Sequence, residues 1–470
     1  GGTISKILLV IITLVMPFLG YNQSVFNTAF DVANAPNFSS DVLEIDNGYL
    51  FTQRADYNGY SHIQAMKLDA LGNVLDSSTL AQSAVPLFNG FSGSLQHLSS
   101  NEFCQHYKVG PDSAIRLVFF DEDLNIIRDI TYSLNDFAGR GMVKQTNDST
   151  LLLLGQVVNP NYWDLVLINT DLQGNERWRT VFGESGKDDY GFAIELIGNK
   201  ILISGNTQTL GPHLYELNPS GGVIWDTIYS HFDFGRNIKF HKDFGLFLLV
   251  DKDGVGQTLR YPMLLKLDSS YNVIWQKAYF SGELDTYLNH YTISDNGILT
   301  FAGASFIDME YQGLFFQVDY QGDSLGSKIL DYLPGAKGSF YDIRPTSDGG
   351  YIIGGVTDAP TQDSWIVKVN AWGCDNIPCI VSVNDKELPK GVLNCFPNPT
   401  HKSGTISGSL SVINPSTELR IYNALGQLVF AISITQHEFT QIVDFPAQGM
   451  YLVVVSNEKG IIQQQKWVVQ

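Results

Sequence analysis

Residues 168–178 read INTDLQGNERW: an apolar run, an aspartate at 171, a glycine three residues later, and a second run ending on Trp178. An Asp or Asn side chain accepts hydrogen bonds from backbone two residues on, and glycine supplies the positive φ that a tight reversal needs. The stretch therefore reads as a hairpin between two strands. Six more copies flank it. Asp69 (MKLDALGNVL) and Asp121 (VFFDEDLNII) come before; Asn218 (YELNPSGGVIW), Asp268 (LKLDSSYNVIW), Asp319 (FQVDYQGDSL) and Asn370 (VKVNAWG) come after. Successive anchors lie 52, 50, 47, 50, 51 and 51 residues apart. Spacing this even marks one supersecondary unit used seven times.

Each unit holds further strands. A second β-rich run recurs as GYLFTQ, EFCQHY, TLLLLG, KILISG, LFLLV, ILTFAG and YIIGG. Several follow hairpin signals: Asn47-Gly48, Asn296-Gly297 and Asp348-Gly349-Gly350. A weaker strand precedes each turn, as in FAIELI (192–197) and FYDIRP (340–345). Four short strands per unit, seven times over, predict an all-β, seven-bladed β-propeller. Trp178, Trp225 and Trp275 each stand seven residues after their anchor and read as packing between neighbouring sheets. The seventh unit lacks a fourth strand after Asn370, whereas Val25–Phe30 (VFNTAF) belongs to no unit. This segment is expected to lie beside Trp365–Val369 as the outer strand of the last blade, covering the edge an open ring would expose.

Composition agrees. Hydrophobic residues make up 44%, aromatics 12% and charged residues 16%, a folded, sheet-rich balance. The net charge of −19 argues against attraction to nucleic acid or an anionic membrane. Ile7–Val15 (ILLVIITLV) follows Lys6 and is broken by Pro17 and Gly20, the layout of a secretory signal peptide with cleavage expected within 20–23. The four cysteines are Cys104, Cys374, Cys379 and Cys395. In an exported protein Cys374 and Cys379 read as a disulfide closing a small loop, with Cys104 a small core residue.

After a linker at 376–393, residues 394–470 hold about seven short strand-like runs, which imply a small C-terminal β-sandwich. The domains expected are thus 1–23, signal peptide; 24–375, propeller; 376–393, linker; 394–470, sandwich. Four motifs stand in order in the last of these: FPNPT (396–400), LRIYNALGQLV (419–429), GMYLV (449–453) and a final strand with KWVV (466–469). The segment resembles the type A C-terminal sorting domain of cargo of the type IX secretion system of Bacteroidota. The matching positions are Pro397, Asn398, Pro399, Tyr422, Gly426, Gly449, Tyr451 and Lys466. The resemblance implies export through the periplasm, recognition by outer-membrane secretion machinery, and a secreted or surface-displayed product. The final WVVQ departs from it by lacking the terminal basic residue many members carry.

Chemistry is harder to find. None of the nine histidines forms an HExxH or HxH pair, and there is no G-x-S-x-G elbow or P-loop. DKDGVG (251–256) lacks the third acidic position and closing Glu of a calcium loop. No catalytic residue, metal ligand or cofactor is assigned. The loops between units combine carboxylates with aromatics, a mixture suited to sugar stacking and hydroxyl hydrogen bonds as well as to loop packing. The ligand-binding candidates are Asp189, Tyr190, Asp233, Phe234, Asp285, Tyr287, Tyr341 and Asp342. The leading expectation is an exported binding module for glycan, peptide or protein. The alternatives are a propeller hydrolase or lyase, or a structural adhesion component.

Overall fold

The computed structural model describes residues 24–375 and 392–469, apart from 90–92, 100–101, 111–113, 135–140, 147–149, 160, 255–258, 282–284, 308, 334–335, 359–360, 411–416, 424–427 and 458–459. The expected signal peptide, Cys379, Gly426 and all but the last two residues of the expected linker lie outside the described residues. Every regular element among the described residues is a β-strand. They fall into two compact units, one up to Val383 and one from Asn384.

The first unit is a β-propeller. Among the described residues it contains seven antiparallel sheets, called blades 1 to 7. Blade 1 pairs Asn37–Ile45, Gly48–Tyr57, Tyr60–Asp69 and Val74–Ser83 in that order. Blades 2 to 6 repeat the order within 87–133, 142–182, 189–228, 234–278 and 286–330. In blade 2 the first strand is split into Leu87–Asn89 and Leu95–His97. Blade 7 pairs Gly338–Pro345, Tyr351–Asp358 and Gln362–Val369. Its fourth strand is Phe26–Phe30, in register from Phe26 opposite Lys368 to Phe30 opposite Ser364. The N-terminal strand thus sits where the incomplete seventh unit requires it.

All seven anchors make the predicted turn at the end of the third strand, and in blades 1 to 6 it leads into the fourth. Each side-chain oxygen accepts the amide four residues on, at 2.8–3.1 Å. The residue three positions on always has positive φ: 84° at Gly72, 60° at Leu124, 88° at Gly174, 84° at Gly221, 65° at Tyr271, 80° at Gly322 and 77° at Gly373. Leu124 and Tyr271 occupy a conformation that costs a non-glycine residue about 1–2 kcal/mol. Burial offsets it: Leu124 is 2% exposed in the core between blades 1 and 2, and the Tyr271 hydroxyl donates to Glu216.

These turns also join one blade to the next. A Cβ on Gly221 would lie 2.5 Å from Trp178 of the preceding blade, and one on Gly322 2.8 Å from Trp275. Trp225 packs 4.5 Å, centroid to centroid, from Tyr271. The three tryptophans are therefore inter-blade packing residues, each lying on the next blade's turn. Beside them, the Tyr132, Tyr229 and Tyr279 hydroxyls donate to the carbonyls of Gly174, Tyr271 and Gly322 at 2.7–2.9 Å. Each of the seven interfaces between neighbouring blades, 7 to 1 included, has its own apolar cluster. Cys104, a free thiol, lies fully buried in the cluster between blades 2 and 3. Cys374 is buried where the propeller ends.

Among its described residues the second unit has two sheets. One orders Val392–Phe396, Ser403–Ser409 and Glu438–Asp444; the other orders Leu428–Ser433, Glu418–Asn423, Gly449–Asn457 and Gly460–Val469. Both contribute to one core around Ile406, Leu419, Ile421, Val453 and Trp467, each fully buried. Cys395, also a free thiol, lies in this core.

Candidate functional site

The first strands of the blades surround the axis of the ring, and five of the seven carry a register shift at the same place. The bulged residues are Ser40, Phe192, Arg236, Asn289 and Tyr341. A bulge bends its strand and re-aims the side chains after it. The residue following each bulge, with its equivalents in blades 2 and 3, gives Asp41, Ser94, Met142, Ala193, Asn237, His290 and Asp342. Two residues further, on the same face, come Leu43, Gln96, Lys144, Glu195, Lys239, Thr292 and Arg344. Between the two layers, Val42, Leu95, Val143, Ile194, Ile238, Tyr291 and Ile343 point away into the inter-blade cores. Two adjoining cavities, of about 200 and 190 Å³, share Lys144, Lys239, His290 and Arg344 in their walls.

A buried charge cluster sits where blade 7 meets blade 1. The Arg344 Nε donates to Asp342 Oδ2 at 2.9 Å, and Arg344 Nη2 stands 3.7 Å from Asp41 Oδ1. His290 Nδ1 is 2.8 Å from Asp342 Oδ1. Asp41 accepts the Gly93 amide at 2.6 Å, the Ser94 amide at 3.1 Å and the Ser94 hydroxyl. Neither carboxylate is exposed. Burial, then the charge of Asp342, pushes Asp41 up to about 6. Burial opposes ionisation of Asp342 as well, but Arg344 and His290 hold its carboxyl well below the usual range. Burial brings His290 down to about 4, and it does the same to His106, whose ring nitrogens have no hydrogen-bond partner among the described residues.

These shifts set a pH dependence. A histidine whose folded value drops from 6.5 to about 4 loses stability for the fold as pH falls through that window. An aspartate raised from 3.8 to about 6 binds its proton more tightly when folded, so it adds stability as pH falls from 6 towards 4. His106 and His290 therefore contribute a fall in the urea midpoint on acidification between about pH 6.5 and 4, which Asp41 offsets. Asp41→Asn should steepen that fall and His106→Leu should flatten it. Curves for Asp41→Asn parallel to the parent's would show that Asp41 titrates alike in both states.

The ends of the same first strands form one rim of the ring. Phe192 and Phe234 lie 5.0 Å apart. The Arg236 guanidinium is 4.7 Å from the Phe234 ring and 5.8 Å from Tyr287, and Arg260 is 6.0 Å from Phe234. Tyr287 lies 5.4 Å from Tyr311, whose hydroxyl donates to Asp285 at 2.5 Å. Arg236 is anchored on the buried Asp251 at 2.6 Å. All the aromatic rings of this cluster are partly exposed.

The candidate residues read from the sequence take different places. Phe234, Asp285 and Tyr287 come together in the rim cluster. Asp233 stands beside it, paired with Lys252 at 3.1 Å. Tyr190 packs edge-on against Trp163 at 5.6 Å. Asp189 is 1% exposed and accepts from the Thr207 and Tyr215 hydroxyls and the Glu184 amide. Tyr341 is the half-buried bulge residue of blade 7, and Asp342 belongs to the buried cluster. Phe192, Arg236, Lys144, Lys239 and Arg344 were not among the candidates. On the opposite end of the ring a groove of about 620 Å³ lies across blades 7, 1 and 2. Its Glu44 and Asp348 are engaged by Ser347 and Lys368.

In the second unit the first and last of the four motifs meet. The Trp467 Nε1 donates to the Pro397 carbonyl at 2.7 Å. The Val468 amide donates to Asn398 Oδ1 at 2.9 Å, and the Thr400 amide to the Val468 carbonyl at 2.8 Å. Tyr451 is buried and donates to the Ala447 carbonyl at 2.8 Å, while Gly449 opens the penultimate strand at φ 146°. Tyr422 pairs with Leu452 in the central sheet, and Lys466 lies on the last strand opposite the same residue.

A search of curated protein sequences finds no match. Among solved structures the chain resembles a protein of unknown function from Bacteroides caccae (12% identity, TM-score 0.38, 60% of this chain and 93% of that one). It also resembles the polysaccharide lyase Uly1 (9%, TM-score 0.45, 76% and 94%). A third likeness is to the β-propeller domain of the Trilobed protease from Pyrococcus furiosus (9%, TM-score 0.41, 70% and 95%). Residues 394–470 match the family model described as a secretion system C-terminal sorting domain. With its first and last motifs joined and that match over the whole segment, the C-terminal unit is a type IX sorting domain, and the protein is secreted through that system to the cell surface or extracellular space.

Proposed function

We propose that the propeller is an extracellular binding module for glycans, delivered by its sorting domain, with the rim of blades 4 to 6 as its contact surface. The carrying observation is the cluster of Phe192, Phe234, Tyr287 and Tyr311 laced with the Arg236 and Arg260 guanidiniums. Partly exposed rings offer flat apolar faces to a sugar, and their neighbouring charged groups offer hydrogen bonds to its hydroxyls. The rings are held from beneath: Arg236 by buried Asp251, and Tyr311 by Asp285. A pre-set surface of this kind loses little side-chain entropy on binding. Asp189 has no part in this reading, because its oxygens already accept protein donors. Phe234→Ala with Tyr287→Ala should weaken binding about tenfold or more in a glycan-array and calorimetry screen of the exported chain. Unchanged affinity in that double variant would remove the rim from the reading.

A further inference from the structure

We propose that the axial channel accepts one residue of an acidic saccharide, seating its oxyanion on Lys144 and Lys239 and a sugar hydroxyl on Asn237. This rests on the glycan reading above and names the class of glycan. The three groups project into the 200 Å³ cavity from the first strands of blades 3 and 5, and the space suits a single ring. Drug-sized pockets begin at about 300 Å³.

The protein carries 19 more negative than positive charges, yet it gathers three cations in the walls of the two adjoining cavities. Arg344 is committed to Asp342. Lys144 and Lys239 have no hydrogen-bond or ion-pair partner among the described residues. The nearby carboxylate of Glu195 attracts Lys239 from beyond ion-pair range. Burial lowers Lys239 to about 8, and Lys144 and Arg344 repel its charge. Like charges held together in a poorly solvated site are the arrangement that an anion relieves.

Asn237 supplies the second half of the argument. Its side chain is 3% exposed, lines the same cavity, and its Oδ1 has no donor among the described residues. An inorganic anion would satisfy the ammonium groups and leave that oxygen unmet. A neutral sugar would do the reverse. A sugar with a carboxylate or sulfate beside free hydroxyls satisfies both. Charge-assisted hydrogen bonds to the oxyanion are the strong ones, so they should dominate selectivity.

The test is calorimetry on the exported chain with three probes: oligogalacturonate, a sulfated galactan oligosaccharide, and an uncharged galactan oligosaccharide. One or both acidic probes should bind about tenfold or more tightly than the neutral one, and which does so separates carboxylate from sulfate. Lys144→Gln with Lys239→Gln should erase the preference while the thermal midpoint stays near the parent's; Lys239→Arg should keep it. Should the double variant not fold, Lys239→Gln alone should cut the preference. Equal binding of charged and neutral probes, or a preference that survives loss of both lysines, overturns the channel site. In that case the rim reading still stands if Phe234→Ala with Tyr287→Ala weakens all three probes. Failure of every probe to bind overturns both.

Discussion

Deleting residues 24–31 should unfold the propeller at ordinary temperature. Phe26 and Phe30 are each 7% exposed and lie in the core between blades 7 and 1. Removing a buried phenylalanine side chain costs about 3–5 kcal/mol, so the pair accounts for roughly 6–10 kcal/mol. That equals most of the roughly 5–15 kcal/mol by which a domain is stable. The deletion also strips hydrogen bonds from Gln362–Val369 and leaves the Trp365 Nε1 without Asn27 Oδ1, its acceptor at 2.7 Å. Phe26 has a further task. A Cβ on Gly72 would lie 2.7 Å from its ring, so Phe26 lies on the turn of blade 1 as Trp178 and Trp275 lie on the turns after theirs. The measurement is thermal unfolding followed by near-ultraviolet circular dichroism. A deleted chain that melts with the parent would contradict the closure. Asn27→Leu is a gentler version: it removes the Trp365 acceptor and the donor to Asp331 and Asp375 while keeping the strand, and should cost about 1–3 kcal/mol.

Trp467→Ala should abolish export. Trp467 is fully buried, packs edge-on against Phe445 at 4.8 Å, and bonds the Pro397 carbonyl. Its truncation should cost about 3–5 kcal/mol in a unit with a single small core. Cell fractionation should then find the protein retained in the periplasm. Asn398→Ala separates fold from recognition, since it removes the acceptor of the Val468 amide and leaves the core intact. It should lower export in part. Trp467→Ala exported at the parent's level would show that the folded sorting unit is not what the machinery reads.

The ring was legible in the sequence because each turn needs a particular side chain. Asp171 or Asn218 cannot be replaced by an apolar residue without losing the bonds to the amide four residues on. The closure was legible because Val25–Phe30 was a strand without a unit, opposite a unit without a strand. The channel was not legible. Its lining comes from the first strands, which carry the weakest pattern: a bulge breaks the two-residue alternation at Phe192, Arg236, Asn289 and Tyr341. Lys144, Lys239 and Arg344 are ordinary polar residues until the repeats are stacked and seen to share one register. The rim was half legible. Phe234 and Tyr287 stood among the carboxylates and aromatics of the inter-blade loops, whereas Phe192 and Arg236 enter through bulges. Asp189 shows the limit of reading a carboxylate as a ligand group, since its donors, Thr207 and Tyr215, come from neighbouring strands of the same blade.

The clasp between Asn398 and Val468 has a consequence for quality control. One side of it lies 70 residues before the other, so synthesis supplies the first side well ahead of the second. A chain cut short before Trp467 lacks both that side chain and the Val468 amide, however well its blades have closed. The sorting unit thereby works as a receipt that synthesis has reached Val468. What is exported on a closed clasp has been translated at least as far as Val468.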